Sequence, residues 1–363
     1  MLCRHQVRHH NIITTSPLVS LKITTLATPH NSKTNDNTQN TNKQQLDNMY
    51  LRSAALLIAS LASAAAFVPS TFAPRSNFAL GIVAGDEQDV AEKVKEVFAN
   101  SPETNSKFDA IVQKNFPGAL DNKALVTKVV DILAGKGYTG ANTLLATSLC
   151  CDELARQLED DFNGIYGNNF NLGGLAGFPF AGNTGFGAMA AHIPDDGYCL
   201  IAYGPHVGVA ADGTVGKVER SGVARAGDCC TSAIAADKYV KNLTDGTLPI
   251  TTQIQQFIDF QQGAVQQLIL PHGKRLSDAD DRMAELPYAI YESQDMLMGD
   301  IIKRGSAGIK DNIGLAILGG IQINTGPDTL DYFVPLKFNF LSNNSGENVE
   351  DMLPDLVKRD QGI

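Results

Sequence analysis

The decapeptide TSLCCDELAR, residues 147–156, joins an apolar run to a helical pattern and decides the class of fold. The run over residues 142–149 is apolar and contains β-branched threonines, which predicts a strand. The pattern from Asp152 to Phe162 predicts a helix. Cys150 therefore falls at the C-terminal end of a strand, and Asp152 falls near a helix N-terminus. Ligands and catalytic groups of open α/β sheets collect at that edge. A helix N-terminus also lowers the pKa of a nearby thiol, which favours a reactive or metal-binding cysteine.

Helical and strand patterns alternate along the rest of the chain, which predicts an α/β fold. Glycines interrupt the patterns, and Asp212-Gly213 marks a hairpin. Helices are predicted over residues 90–98, 108–115, 122–133, 231–243 and 278–304, with a further helical region from Thr251. Strands are predicted over residues 142–149, 198–203, 313–323 and 332–341.

Composition divides the 363 residues into four segments. Residues 1–48 are rich in Thr, Asn, Gln and His, which predicts a disordered or untranslated extension. Residues 49–84 contain a short apolar run followed by an acid-free, hydroxylated stretch, as in the signal plus plastid transit presequences of algae with secondary plastids. An ordinary secretory signal is the alternative. Residues 85–345 are expected to form one large domain or two closely joined ones, and residues 346–363 a loose tail.

Charge and hydropathy exclude two classes of partner. The chain carries a formal net charge of −10, has no tryptophan and shows no basic stripe, which argues against a nucleic-acid partner. After the leader, no apolar run is long and charge-poor enough to predict a membrane span.

Cysteine placement points to metal or redox chemistry rather than to a disulfide framework. Five of the six cysteines fall between Cys150 and Cys230, around His206. Cysteine, histidine and cysteine from three turns form a three-ligand zinc site whose fourth position stays open, as in catalytic zinc centres. Two adjacent residues, Cys229 and Cys230, are candidates for the last ligand, and their position in the sequence does not decide between them.

Local context favours particular residues within this cluster. His206 follows a Gly-Pro turn at the end of a predicted strand, which favours a ligand over a structural histidine. Cys150 is favoured over Cys151 because Asp152 then follows the ligand by two residues. Cys199 lies inside a predicted strand and is assigned to the core.

A carboxylate beside such a zinc can accept the proton of the attacking water, provided that an arginine holds it away from the metal. Asp152 and Arg156 are spaced i, i+4 and are predicted to form this pair. The alternative is a solvated surface salt bridge.

A glycine-rich stretch, residues 173–197, carries Phe178, Phe180 and Phe186, which are predicted to wall a small apolar substrate cavity. His192 is assigned a supporting or proton-carrying role there. An apolar cavity beside a zinc suits a small, uncharged electrophile such as CO2. The alternative is a tightly packed loop that binds no ligand.

The combination of motifs resembles the limiting-CO2-inducible B family, also called θ-carbonic anhydrases. The motifs are Cys150-x-Asp152-Glu153, the stretch ending in His192-Ile193-Pro194-Asp195-Asp196-Gly197, Pro205-His206-Val207-Gly208, and Cys230. The resemblance implies a fold similar to β-carbonic anhydrases, with a central, mostly parallel sheet flanked by helices. His206 and Cys230 are far apart in this sequence, whereas the corresponding residues of ordinary β-carbonic anhydrases are close neighbours.

The resemblance also implies a ligand set and an activity. Zinc would be held by Cys150, His206 and Cys230, with Asp152 as the acid of an Asp–Arg pair and Arg156 as its partner. The implied reaction is reversible hydration of CO2 to bicarbonate by a homodimer. Together with the presequence over residues 49–84, this predicts a plastid enzyme that supplies or concentrates CO2 for photosynthesis. Two alternatives are a non-catalytic zinc-binding sensor or regulatory subunit for inorganic carbon, and a dithiol redox switch.

Overall fold

The structure is a computed structural model that describes residues 87–101, 106–167, 169–247, 258–310, 312–342 and 348–358. All of these residues belong to one compact unit, Leu80–Ile363. The predicted extension (1–48) and presequence (49–84) lie outside the described residues, as does the first part of the helical region from Thr251. Within the described ranges, no helix combines the length and apolar character that crossing a bilayer requires.

Helices and strands alternate as the patterns predict. The helices are α1 (Glu87–Val97), α2 (Ser106–Asn115), α3 (Asn122–Ala134), α4 (Arg156–Tyr166), α5 (Gly182–Ala190), α6 (Thr231–Thr244), α7 (Phe260–Ile269), α8 (Gly273–Asp278), α9 (Arg282–Gly305) and α10 (Leu353–Val357). The strands are β1 (Leu120–Asp121), β2 (Thr143–Ser148), β3 (Asn169–Asn171), β4 (Tyr198–Tyr203), β5 (His206–Gly208), β6 (Lys217–Val218), β7 (Gly227–Asp228), β8 (Gly314–Asn324), β9 (Tyr332–Ser342) and β10 (Asn348–Asp351).

The central sheet has the order β1-β9-β8-β4-β2-β3, with β5 paired to β8 and β10 paired to β9. Strands β3, β2, β4, β8 and β5 pair in parallel, whereas β9 pairs antiparallel with β8, β1 and β10. The expectation of a central, mostly parallel sheet flanked by helices is confirmed. The parallel strands end at one common edge, which lies beyond Ser148, Tyr203 and Asn324.

Alternate residues of the strands face opposite layers of helices, as the two-residue period of a strand requires. Leu200 and Leu318 pack with α3 and α4 on one face, while Ile201 and Ile317 pack with α5 and α9 on the other. A third apolar cluster lies at the carboxyl edge of the parallel strands and includes Cys150 together with residues of α6, α7 and α9. The sheet therefore positions the cysteine-rich turns at a well-packed edge.

The glycine-rich stretch is not one continuous loop, because it contains helix α5. Phe186 and Met189 of α5 are fully buried and pack in the same cluster as α9. Helix formation here depends on tertiary packing, since glycine is a poor helix former in isolation.

The C-terminal segment, expected to be loose from residue 346, forms strand β10 and helix α10 over residues 348–357. Met352 and Leu356 are buried in the cluster that contains α3, and the Met352 N–H donates to the carbonyl of Phe338 at 2.7 Å. Two apolar side chains at i, i+4 therefore anchor a segment whose composition is otherwise polar.

Leu356→Ala is expected to lower the free energy of unfolding by about 2–5 kcal/mol, because it leaves a cavity in a packed cluster. The adjacent Val357→Ala is the matched control, since Val357 is 45% exposed, and its effect should stay within about 0.5 kcal/mol. Urea unfolding of the two variants measures both values. Equal effects would contradict the anchoring role of Leu356.

Candidate metal centre

The carboxyl edge of the parallel strands brings the cysteine-rich turns together. Cys150 follows β2, and Asp152 caps the short 3-10 helix Glu153–Ala155 by accepting a hydrogen bond from the Leu154 N–H at 3.0 Å. His206 opens β5, and Cys230 is the N-cap residue of α6.

Gly204 allows the turn before His206 to cross close to β8. A Cβ at this position would lie 1.9 Å from the carbonyl oxygen of Gly320, so a larger residue would displace the backbone. The expected Gly-Pro turn therefore has a steric basis, and it delivers His206 to the edge.

Three buried side chains, Cys150, His206 and Cys230, each place one ligand atom within 4.8 Å of the other two. The sulfurs of Cys150 and Cys230 are 3.9 Å apart. Two sulfurs about 2.3 Å from one tetrahedral zinc lie about 3.8 Å from each other, so the spacing fits that ion. The predicted ligand set is thus brought together.

The imidazole of His206 presents an unsatisfied nitrogen to the two thiols. Its Nε2 is buried and has no hydrogen-bond partner among the residues that the structure describes, while its Nδ1 lies 2.8 Å from Oδ1 of Asn324. A buried polar atom without a partner is costly. A cation bound to Nε2 would supply the missing partner, which is the second observation that fits a metal.

The geometry also separates Cys229 from Cys230. The Cys229 sulfur lies 3.4 Å from Nδ1 of His206 and 3.5 Å from Oδ1 of Asn324, on the side of the ring that is already hydrogen-bonded. Cys230 instead faces Cys150. Cys151 is exposed, and Cys199 is buried within β4 beside Met189, so neither belongs to the cluster.

The thiol of Cys150 is unsuited to ionise without a cation. The neighbouring Cys230 thiol and burial raise the pKa of Cys150 to about 12. A coordinating divalent ion reverses this preference because it stabilises the thiolate directly. The pair of buried thiols is therefore a site whose charge a metal would balance.

Asp152 lies beside the ligands and is paired with Arg220. Its Oδ2 is 4.0 Å from Nε2 of His206 and 3.8 Å from Nη2 of Arg220. Arg220 also donates from Nε to Glu153 at 2.8 Å. Burial, followed by the hydrogen bond to Glu153, raises the pKa of Asp152 above its ordinary value. A nearby guanidinium opposes that rise because it favours the carboxylate.

The predicted pairing of Asp152 with Arg156 is wrong. Arg156 donates to Glu159 at 2.8 Å and to the backbone carbonyl of Cys150. The i, i+4 rule assumes a continuous α-helix, whereas Asp152 caps a 3-10 turn and α4 begins only at Arg156. The side chain of Arg156 consequently supports the turn that carries Cys150.

An open cleft of about 930 Å³ lies beside the centre. Its walls include Arg220, which faces the Asp152 carboxylate, and Asn324, which is hydrogen-bonded to His206. The side chain of Asp152 is itself 16% exposed.

The four predicted substrate residues divide into two pairs. Phe178 is buried in the same cluster as Cys150 and Cys230, and the Phe180 ring packs 5.9 Å from it. Phe186 lies in the other helical layer, against α9. His192 is exposed, with its Nδ1 2.7 Å from the carbonyl of Ala188 and its ring beside Phe170. The structure thus places Phe186 outside the cluster that contains Cys150 and Cys230, and His192 on an exposed turn after α5. The assignment of these two residues to the substrate site stays a prediction.

Comparison with known proteins agrees with this geometry. The sequence profile of the limiting CO2-inducible proteins B/C, β-carbonic anhydrases, matches residues 119–342. That span covers every strand of the central sheet except β10, together with all three candidate ligands and Asp152. The chain belongs to this family.

Solved structures of the family share the fold. PtLCIB4, a homolog of the limiting CO2-inducible protein LCIB, is 46% identical over 67% of this chain and 98% of its own, with a TM-score of 0.62. A histidine-to-alanine variant of PtLCIB4 is 45% identical over 68% of this chain and 98% of its own, with a TM-score of 0.63. LCIB itself, at 20% identity over 67% of this chain and 97% of its own, has a TM-score of 0.52 and shows the fold alone. No curated protein matches the chain.

Proposed function

We propose that the chain is a zinc enzyme that catalyses the reversible hydration of CO2 to bicarbonate. The observation that carries the proposal is the buried Nε2 of His206, which has no partner in the described part of the chain and faces two thiols beside the Asp152–Arg220 pair. A structural zinc would be closed by a fourth protein ligand, whereas here a carboxylate stands next to three ligands and is held by an arginine. Membership of a family described as β-carbonic anhydrases supports the same reaction.

The chain's own residues would divide the work as follows. Cys150, His206 and Cys230 would hold zinc, which when bound supplies a Lewis acid that makes water nucleophilic near neutral pH. Oδ2 of Asp152 would accept a hydrogen bond from the attacking water and so fix its orientation toward CO2. Arg220 would hold that carboxylate ionised and in place. Phe178 and its apolar neighbours would keep one side of the centre dry and accommodate an uncharged substrate.

Two measurements on the purified full chain test the proposal. Metal analysis after extensive dialysis should find one zinc per chain, and stopped-flow detection of proton release should find CO2 hydration well above the buffer rate. Zinc without hydration would instead support the non-catalytic inorganic-carbon sensor. Thiols that titrate fully without a chelator would support the redox switch and contradict both zinc functions, because metal-held thiolates stay blocked until the metal leaves.

The assembly and location of the protein are part of the same proposal. A homodimer is proposed from the family resemblance, and sedimentation equilibrium of the full chain measures its mass. Placement in a plastid, with a role in supplying CO2, is proposed from the leader over residues 49–84. A fluorescent fusion carrying that leader tests it, and accumulation of the fusion outside plastids would contradict the proposal.

A further inference from the structure

We propose that Asn324 is a positioning residue of the metal centre, which holds His206 in the tautomer and orientation that zinc requires, and that Asp331 fixes the sense of its amide. The inference rests on the proposed zinc function. Asn324 is the last residue of β8 and is 1% exposed. It is paired in register with Gly208, two residues after His206 on the neighbouring strand. The sheet itself therefore places its side chain beside the imidazole.

The hydrogen bonds of Asn324 leave one orientation for the amide. Nδ2 donates to the Leu154 carbonyl at 2.8 Å and to Oδ2 of Asp331 at 2.7 Å, which uses both of its hydrogens. A flipped amide would set its oxygen against these two acceptors. Oδ1 must consequently face Nδ1 of His206, where it lies at 2.8 Å.

An acceptor at that position determines where the imidazole carries its proton. Nδ1 must be the N–H donor to Oδ1 of Asn324, so the lone pair of the neutral ring is on Nε2, the atom that faces Cys150 and Cys230. A histidine ligand whose other nitrogen is held in this way binds its metal more tightly.

Asp331 is itself held by the turn between β8 and β9. Its Oδ1 accepts from the Thr325 N–H at 2.9 Å, and the Thr325 hydroxyl donates to the Leu330 carbonyl at 2.9 Å. The turn therefore presents Oδ2 of Asp331 to the amide of Asn324 as a fixed acceptor. The imidazole is therefore oriented by two side chains, Asn324 and Asp331, the second of which is held by the backbone N–H of Thr325.

The same amide connects the histidine to the turn that carries the proposed acid. Nδ2 of Asn324 binds the carbonyl of Leu154, whose N–H donates to Oδ1 of Asp152. Losing Asn324 would loosen His206 and the Asp152 turn together, so both the affinity for zinc and the geometry around it should respond.

The experiment measures the zinc affinity of the full chain by competition with a chromophoric chelator. Asn324→Ala should bind zinc about 10–100-fold more weakly than the unaltered protein. The double variant Asn324→Asp with Asp331→Asn exchanges the two groups, so a carboxylate accepts from Nδ1 of His206 and the new amide donates to it. This exchange should restore a large part of the affinity that Asn324→Ala loses.

Asn142→Ala is the matched control, because Asn142 makes a similar set of bonds at the opposite edge of the sheet. It accepts from Thr139 N–H at 2.8 Å and donates to the Gly137 carbonyl at 2.9 Å. Its removal should leave zinc affinity unchanged, even if it lowers the melting temperature.

A second readout separates positioning from general stability. Nitrogen-15 NMR of the zinc-loaded, histidine-labelled protein should show a slowly exchanging Nδ1–H signal for His206, which Asn324→Ala should lose and Asn142→Ala should keep. Zinc affinity within twofold of the unaltered protein in folded Asn324→Ala, or zinc on Nδ1 of His206, would overturn the role of Asn324 alone. Failure of the unaltered protein to bind zinc would overturn the proposed function and this inference with it.

Discussion

Cys230→Ser is expected to abolish stoichiometric zinc binding and reduce CO2 hydration to the uncatalysed rate, whereas Cys229→Ser should retain both. The sulfur of Cys230 is 3.9 Å from that of Cys150 and within 4.8 Å of the His206 ligand atom. A serine hydroxyl does not ionise near neutral pH and is a poor zinc ligand. Removing a residue that hydrogen-bonds to a metal ligand already weakens metal binding about 10–100-fold. Removing a ligand itself should therefore weaken zinc binding more than about 100-fold.

Cys229 is a demanding control because it is adjacent in sequence and equally buried. Its sulfur contacts Nδ1 of His206 and Oδ1 of Asn324, and a serine hydroxyl can donate to the same oxygen. Metal content by mass spectrometry and proton release by stopped flow are measured on both variants, with circular dichroism to verify folding. Zinc retained in Cys230→Ser and lost in Cys229→Ser would reverse the assignment.

Sequence patterns located the edge of the sheet at which the site lies, because strand ends and helix starts follow from local periodicity. Cys150 and His206 could be assigned from their turns alone. The choice between Cys229 and Cys230 could not be made from spacing, since adjacent residues share the same local pattern and differ only in the direction of their side chains. The family resemblance supplied that choice, and the side-chain geometry agrees with it.

The role of Arg220 could not be predicted from local sequence patterns. This arginine stands near Asp152 only because the chain folds back after β6, and no periodicity connects residues so far apart in sequence. The roles of Asn324 and Asp331 were not predicted for the same reason. The ordered tail, by contrast, left a readable signal in the i, i+4 pair Met352 and Leu356, which a polar composition obscured.

Arg220→Ala is expected to lower kcat/KM for CO2 hydration on the order of 10²-fold while leaving one zinc per chain, because contributions of positioned acid–base groups are of this size. Arg220 touches none of the three ligands but holds the Asp152 carboxylate from 3.8 Å. Asp152→Ala should lose at least as much activity and likewise retain zinc. Full turnover in Asp152→Ala would refute the pair altogether.

The pH dependence of the Arg220 variant gives a sharper test than its rate. Burial already raises the pKa of Asp152, and the guanidinium is a favourable charge for its ionised form. Removing that charge raises the pKa of Asp152 further. The acidic limb of the profile of kcat/KM against pH should therefore move to higher pH by about one unit. Stopped-flow rates between pH 6 and pH 9 measure this shift, in buffers of constant ionic strength.

Arg156→Ala distinguishes the two arginines. Arg156 donates to Glu159 and to the carbonyl of Cys150, so its loss should lower the free energy of unfolding by about 1–3 kcal/mol through an unpaired buried acceptor. Because Arg156 does not hold Asp152, the acidic limb of the zinc-loaded enzyme should stay at its original pH. If the acidic limb shifts in Arg156→Ala and not in Arg220→Ala, the partner of Asp152 is Arg156, as helical spacing predicts. The reverse result would establish that the proposed acid is controlled from the turn after β6 rather than from its own helix.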